Sequence, residues 1–200
     1  MKKIFLGMAI AAGSMAFGQQ FGVKAGGNFS NLSADGSISE SKGKMGYYAG
    51  VFMNLPVAEN FSIQPEVLYN NVGSKTTYQF TQSIKGESNL SLNYITVPVM
   101  IQYNFVPEFY MEAGPEVNFL VNAKSTTKLD TSSSGASLVK ELNKDNFNAV
   151  NFGMGIGAGF NITPNFGINA KYVAGFNDIT KTGEGKNKVN NIQFGASFKF

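Results

Sequence analysis

The chain has 200 residues, with 16 basic side chains, all of them lysine, against 13 acidic ones, and neither histidine nor cysteine. Without cysteine there is no disulfide framework, thiolate metal site or cysteine nucleophile, and without histidine no serine–histidine hydrolase. Setting aside Lys2 and Lys3, which fall in a leader, the formal charge drops to +1, so the pI of about 9.0 implies no nucleic-acid partner.

The first element is that leader. Met1-Lys2-Lys3 is a basic start, Ile4 to Ala12 is apolar and uncharged, and Gly13 to Gly18 supplies small residues. The pattern is that of a secretory signal peptide with Ala16 and Gly18 at positions −3 and −1, so residues 1–18 are expected to be removed and 19–200 to form one mature domain. The run is well short of the roughly 20 residues of a spanning helix, and no cysteine follows to carry a lipid anchor.

Eight stretches then alternate apolar residues with polar or small ones, the period of 2 that sends strand side chains to opposite faces. Phe21 to Leu32 places Phe21, Val23, Ala25 and Phe29 against Lys24, Asn28 and Ser30. Met45 to Leu55 sets Tyr47, Val51 and Met53 against Tyr48, Gly50, Phe52 and Asn54. Phe61 to about Gly73 sets Ile63, Pro65 and Val67 against Gln64, Glu66 and Asn70, and about Leu90 to Phe105 sets Ile95, Val97 and Ile101 against Thr96, Met100 and Gln102. Phe109 to Val121 opposes Met111, Ala113 and Val117 to Glu112, Gly114 and Glu116. Val150 to Ile162 is the clearest, with Phe152, Met154, Ile156 and Phe160 alternating with Gly153, Gly155, Gly157 and Gly159. Phe166 to Asn177 places Ile168 and Tyr172 against Asn169 and Lys171, and the last stretch, to Phe200, alternates Ile192, Phe194 and Phe198 with Gln193, Gly195, Ser197 and Lys199. Pro65, Pro98 and Pro115 fall inside strands, where proline removes a ladder donor, and are expected to mark bulges or breaks.

Connections alternate in length. Residues 56–60, 106–108 and 163–165 are tight, whereas 33–44, 74–88, 123–148 and 178–188 are long and polar. Within the longest, Ala136 to Leu142 fits either a short helix or ordered lid, or plain disorder. Strands of about 10 residues with one greasy face, short turns on one side and long loops on the other predict an antiparallel up-and-down transmembrane β-barrel in the outer membrane, with both termini periplasmic. A mean hydropathy of only −0.07 agrees, because the polar alternates dilute the apolar ones.

None of the outward positions is charged, whereas inward positions hold Lys24, Glu66, Glu112, Glu116, Lys171 and Lys199, three of each sign. Eight strands leave an interior just wide enough for side chains, so these six read as a charge-balanced filling in preference to an ion path. The glycines of the sixth stretch either make room for bulky residues such as Tyr48 and Phe52 or leave a water-filled pocket. Glu112 and Glu116, four residues apart on a strand, lie ~13 Å apart, beyond glycosidase spacing. No catalytic set, cofactor loop or metal-spaced cluster is legible.

The last segment, with Gln193, Gly195, Phe198 and the terminal Phe200, resembles the signal read by the outer-membrane assembly machinery, a strand edge able to pair by β-augmentation. The motifs Gly22-Val23-Lys24-Ala25-Gly26-Gly27-Asn28, Phe61 to Tyr69, Asn93 to Tyr103 and Gly114-Pro115-Glu116 together resemble the PorT-like outer-membrane β-barrel proteins of Bacteroidetes. The resemblance covers the whole mature chain and implies a small barrel of about eight strands. One branch of that family is tied to the gliding and protein-secretion apparatus, and nothing here places the chain in that branch. The expected role is a structural or interaction barrel, embedded in lipid, that meets an unidentified partner through its long loops. The alternatives are a narrow conduit through the lumen and an accessory part of the secretion apparatus.

Overall fold

The computed structural model describes residues 18–34, 41–81, 84–131, 134–142, 146–181 and 187–200. These form nine strands: β1 (Gln20–Ala34), β2 (Ser41–Ala58), β3 (Phe61–Thr81), β4 (Ile84–Asn104), β5 (Phe109–Thr131), β6 (Ser134–Glu141), β7 (Val150–Asn161), β8 (Phe166–Gly175) and β9 (Asn187–Lys199). All pairings are antiparallel. β5 takes β4 along one edge and two partners in succession along the other, β7 from Phe109 to Phe119 and β6 from Lys124 to Thr131. β9 returns to β1, from Gly22↔Lys199 to Ala34↔Asn187, so β1–β5 and β7–β9 close an eight-stranded barrel with β6 outside the ring.

Burial follows the alternation. Gln193 is 1% exposed and its neighbour Phe194 61%, and Ile156 is 55% exposed beside a buried Gly155. The greasy face is therefore outside and the polar face inside, which inverts a water-soluble protein and suits lipid. At one end, the turn end, short connections are laced by backbone bonds such as Asn104 N–H to Asn60 O (2.8 Å) and Asn161 N–H to Glu108 O (2.7 Å). An aromatic row there runs Phe61, Tyr103, Phe105, Phe109, with neighbouring ring centroids 4.8–5.8 Å apart.

The three prolines sit where pairing is interrupted. The β2–β3 register skips the rung opposite Pro65 between Phe52↔Glu66 and Leu55↔Ile63, the β3–β4 register skips that opposite Pro98 between Pro65↔Val99 and Leu68↔Thr96, and the β4–β5 register skips that opposite Pro115 between Pro98↔Glu116 and Ile101↔Ala113. Each proline lacks the N–H that the missing rung needs.

Two expected loops are instead mostly strand. Residues 74–81 and 84–88 continue the β3–β4 ladder to Thr81↔Ile84, and 124–131 pairs with β6 to Thr131↔Ser134. The helix or lid weighed for Ala136 to Leu142 is replaced by β6. The reason is that alternation reports a difference in burial between two faces, and the polar sequence of these segments carries no such contrast. Thr76, Thr77, Tyr78 and Phe80 are strand formers read only as a polar run. With β4 and β5 still paired at Lys85↔Asp130, β3–β6 make a four-stranded ribbon rising from the end opposite the turns, the ribbon end. Residues 35–40 and 182–186 of the other long connections, and the leader up to residue 17 with Ala16, lie outside the described residues.

Candidate functional site

Inward positions of eight strands converge on a lumen filled in three layers. Nearest the turn end is an amide and hydroxyl cluster. Asn54 Nδ2 donates to Gln102 Oε1 (2.8 Å), Ser62 Oγ (3.1 Å) and Gln64 Oε1 (3.2 Å), and Gln102 Nε2 donates to Glu112 Oε2 (2.9 Å). Above it lies an ionic layer. Lys24 Nζ reaches Glu66 Oε1 at 2.6 Å, Gln64 Nε2 donates to the same oxygen (2.8 Å), and Lys171 Nζ stands 3.9 Å from Glu66 Oε2. That last distance is too long for a hydrogen bond and short enough for strong attraction in a dry interior.

The six sequence-predicted lumen charges therefore do not form one network. Lys24, Glu66 and Lys171 come together, while Glu112 is held by Gln102, and Glu116 by Asn118 Nδ2 (3.1 Å). Lys199 lies half-buried, its Nζ 3.5 Å from Asn161 Oδ1. It sits at the turn-end rim because β9 terminates there beside the β7–β8 turn, its N–H bonded to Asn165 O. Among the described residues the fully enclosed titratable groups are three carboxyls and two lysines, so the expected three-to-three balance does not hold inside the lumen.

Glycine makes this packing possible at specific places. A Cβ on Gly159 would lie 2.2 Å from Tyr110 Cζ, and one on Gly195 2.2 Å from Tyr48 Oη. Tyr48 crosses the lumen and donates to Asn169 Oδ1 (3.2 Å). Of the two sequence alternatives for the β7 glycines, Gly159 accommodates Tyr110, whereas Tyr48 and Phe52 are accommodated by Gly195 and Gly22.

The third layer, toward the ribbon end, is apolar. Val72, Leu92, Tyr94, Ala123, Phe147 and Ile179 form a buried cluster with Leu90, Leu120, Leu142 and Val189 packed against it. Phe147 and Ile179 come from segments between strands and drop into the barrel mouth because those segments are tied together. Asn148 N–H bonds Ile179 O (2.9 Å), Lys181 N–H bonds Asn146 O (3.0 Å), and Asn148 Nδ2 bonds Asp178 O (2.7 Å). Between the ionic and apolar layers is a cavity of about 40 Å³ lined in part by Asn70, Tyr94, Glu116, Asn118, Asn151 and Asn191. This is room for about three waters, not for a solute path.

The apolar cap escaped the sequence because its key residues sit in a polar, glycine- and lysine-rich context. Lys44, placed in a loop, turns inward on β2 and donates to Asn71 Oδ1 (2.9 Å) and Ser91 Oγ (2.8 Å). Tyr94 and Tyr110 share inward parity with Thr96 and Glu112, the signal that locates them. At the C-terminus Gln193 is buried, while Phe198 and Phe200 point outward with rings 5.8 Å apart, on a strand that closes against both β1 and β8. Among the described residues no group of three or more histidine, cysteine, aspartate or glutamate side chains is placed to hold a metal.

The model of the family described as outer membrane protein beta-barrel domain matches residues 17–181. No curated protein matches the chain in sequence. Among solved structures, Neisserial surface protein A is similar with a TM-score of 0.53 at 13% identity, covering 92% of this chain and 99% of that one. The attachment invasion locus protein Ail of Yersinia pestis, in a complex with the heparin analogue sucrose octasulfate, is similar with a TM-score of 0.50 at 15% identity, covering 91% and 99%. At these identities the likeness shows the fold alone: an outer-membrane barrel.

Proposed function

The chain belongs to the outer membrane protein beta-barrel domain family, and from that premise we propose that it is a non-enzymatic outer-membrane barrel with a solid lumen, acting through the ribbon at its long-loop end. The observation that carries this reading is the closure of the lumen, in which the Lys24–Glu66–Lys171 layer fills the middle and Phe147, Ile179 and Tyr94 stop the mouth above it. A barrel of eight strands has no further width for a channel.

Short turns paired with long loops support a periplasmic turn end, with both termini there, and a ribbon facing outward. Residues 1–18 are the leader for export, and Gln193, Gly195, Phe198 and Phe200 the segment that the assembly machinery reads. The ribbon of β3–β6 then presents a four-stranded sheet to a protein partner of unknown identity. The finer placement among PorT-like barrels, and with it an accessory role in gliding or protein secretion, rests on the strand motifs alone. The conduit reading is favoured by the cavity beside Glu116, which is small.

The test is cross-linking in intact cells. Replacing residues 77–87 by a two-residue Asn-Gly turn should abolish a specific cross-linked partner while membrane insertion is kept. An unchanged cross-link pattern would reject the ribbon as the interacting element.

A further inference from the structure

The cavity beneath the apolar cap has an unusual balance of hydrogen-bonding groups. Glu116 is 4% exposed; its Oε1 accepts from Asn118 Nδ2 at 3.1 Å, and its Oε2 has no partner. Asn191, also 4% exposed and on the same cavity wall, has a buried Oδ1 without a partner. Three of the neighbouring donors are engaged elsewhere. Asn118 Nδ2 is on Glu116 Oε1, Asn151 Nδ2 bonds Tyr94 Oη (3.3 Å) and Asn148 O (3.2 Å), and Asn177 Nδ2 bonds Asn151 Oδ1 (2.9 Å). What the cavity offers at Glu116 Oε2 and Asn191 Oδ1 is oxygen, with only the shared ammonium of Lys171 to oppose it.

The charge count says the same. Among the described residues three carboxylates and two ammoniums are enclosed: Lys24 is taken by Glu66 at 2.6 Å, and Lys171, 3.9 Å from Glu66, is shared between Glu66 and Glu116. An enclosed charge left unpaired is strongly destabilising. We propose that the cavity is a binding site for one small monovalent cation, held by Glu116 Oε2 and Asn191 Oδ1 and completed by water. A volume of about 40 Å³ admits one ion with one or two waters. A single carboxylate among neutral amides suits charge +1, whereas a calcium site takes 6–8 oxygens and commonly several carboxylates. The site lies inside the barrel, so it is independent of the ribbon and of any partner bound there.

The experiment uses the folded protein in detergent micelles, comparing its unfolding midpoint in sodium, potassium and rubidium chlorides with that in choline chloride at equal ionic strength. A small cation that fits should raise the midpoint saturably, by roughly 3–5 °C, and choline, too large to enter, should not. Glu116→Gln, which removes the negative charge and keeps the shape, should erase the difference between salts, while Glu108→Gln at a turn should leave it intact. Crystals grown in rubidium chloride should show an anomalous peak against the Glu116 carboxylate. If Glu116→Gln does not fold, the wild-type rubidium peak decides alone. Absence of that peak, together with a midpoint indifferent to the cation, would overturn the proposal in favour of water or of a protonated Glu116.

Discussion

Lys24 and Glu66 meet at 2.6 Å although their strands are not neighbours: β2 runs between them, and the pair closes over its inner surface, with the ammonium 5.9 Å from the Phe52 ring centroid. The contact ties β1 to β3 inside the barrel, and Glu66 extends it to Lys171 on β8. Removing Glu66 would strand two enclosed ammoniums. Glu66→Ala is therefore expected to destabilise the barrel by about 3–5 kcal/mol, and Lys24→Ala similarly. Lys171→Ala should do less because its contact is longer, and Lys181→Ala, exposed at the ribbon end, should be nearly neutral. Urea unfolding in micelles measures the order, and equal effects of Glu66→Ala and Lys181→Ala would refute it.

Gly159 gives a test of packing. Its absent side chain is where the Tyr110 ring lies, and the three atoms nearest that point all belong to Tyr110. Gly159→Ala should lower the unfolding midpoint, and Tyr110→Ala should restore tolerance, so that the double variant is no worse than Tyr110→Ala alone. A double-mutant cycle reads the coupling, and additivity would mean that Tyr110 turns aside freely.

The barrel was legible because lipid outside and packed polar groups inside give every spanning strand a contrast between faces. Parity placed Lys24, Glu66, Glu112, Glu116 and Lys171 inward, as they stand. Which of them meet was not legible, because strand order fixes neighbours along the wall and not reach across a lumen, where Glu66 joins β1 and β8. The ribbon was missed because its segments are polar along their length and carry no alternation in sequence. The cap was missed because Phe147 and Ile179 owe their burial to backbone bonds between two connections, which no periodicity announces.

Topology is checked by labelling. The absence of cysteine allows single cysteines at Lys181, at the ribbon end, and at Asn60 and Asn165, exposed at the turn end. A membrane-impermeant maleimide on intact cells should label the first and spare the other two. Labelling at Asn60 or Asn165 without cell lysis would invert the orientation.

The C-terminal strand closes the barrel, so its folding and its delivery can be separated. Changing Phe198 and Phe200 together to serine keeps the inward face of Gln193, Gly195 and Ser197. The protein should then fail to reach the outer membrane in cells yet still fold from urea into micelles. Normal membrane-embedded protein in cells would remove the assembly role from these rings, and failure in both settings would make them structural.

Conductance separates a solid lumen from a conduit, and the layers allow the blockade to be located. Wild-type protein in planar bilayers should be silent. Phe147→Ala with Ile179→Ala opens the apolar cap, which should lower the unfolding midpoint, since each deletion of a buried side chain typically loses ~2–5 kcal/mol. The bilayer should nonetheless remain silent, because the Lys24–Glu66–Lys171 layer still fills the barrel beneath. Adding Glu66→Ala to the cap variant loosens the middle layer as well, leaves only the Asn54–Gln102 cluster at the turn end, and should be the first combination to pass ions. Steady channels in the wild type would establish a conduit, and channels in the cap variant alone would place the whole seal in Phe147 and Ile179.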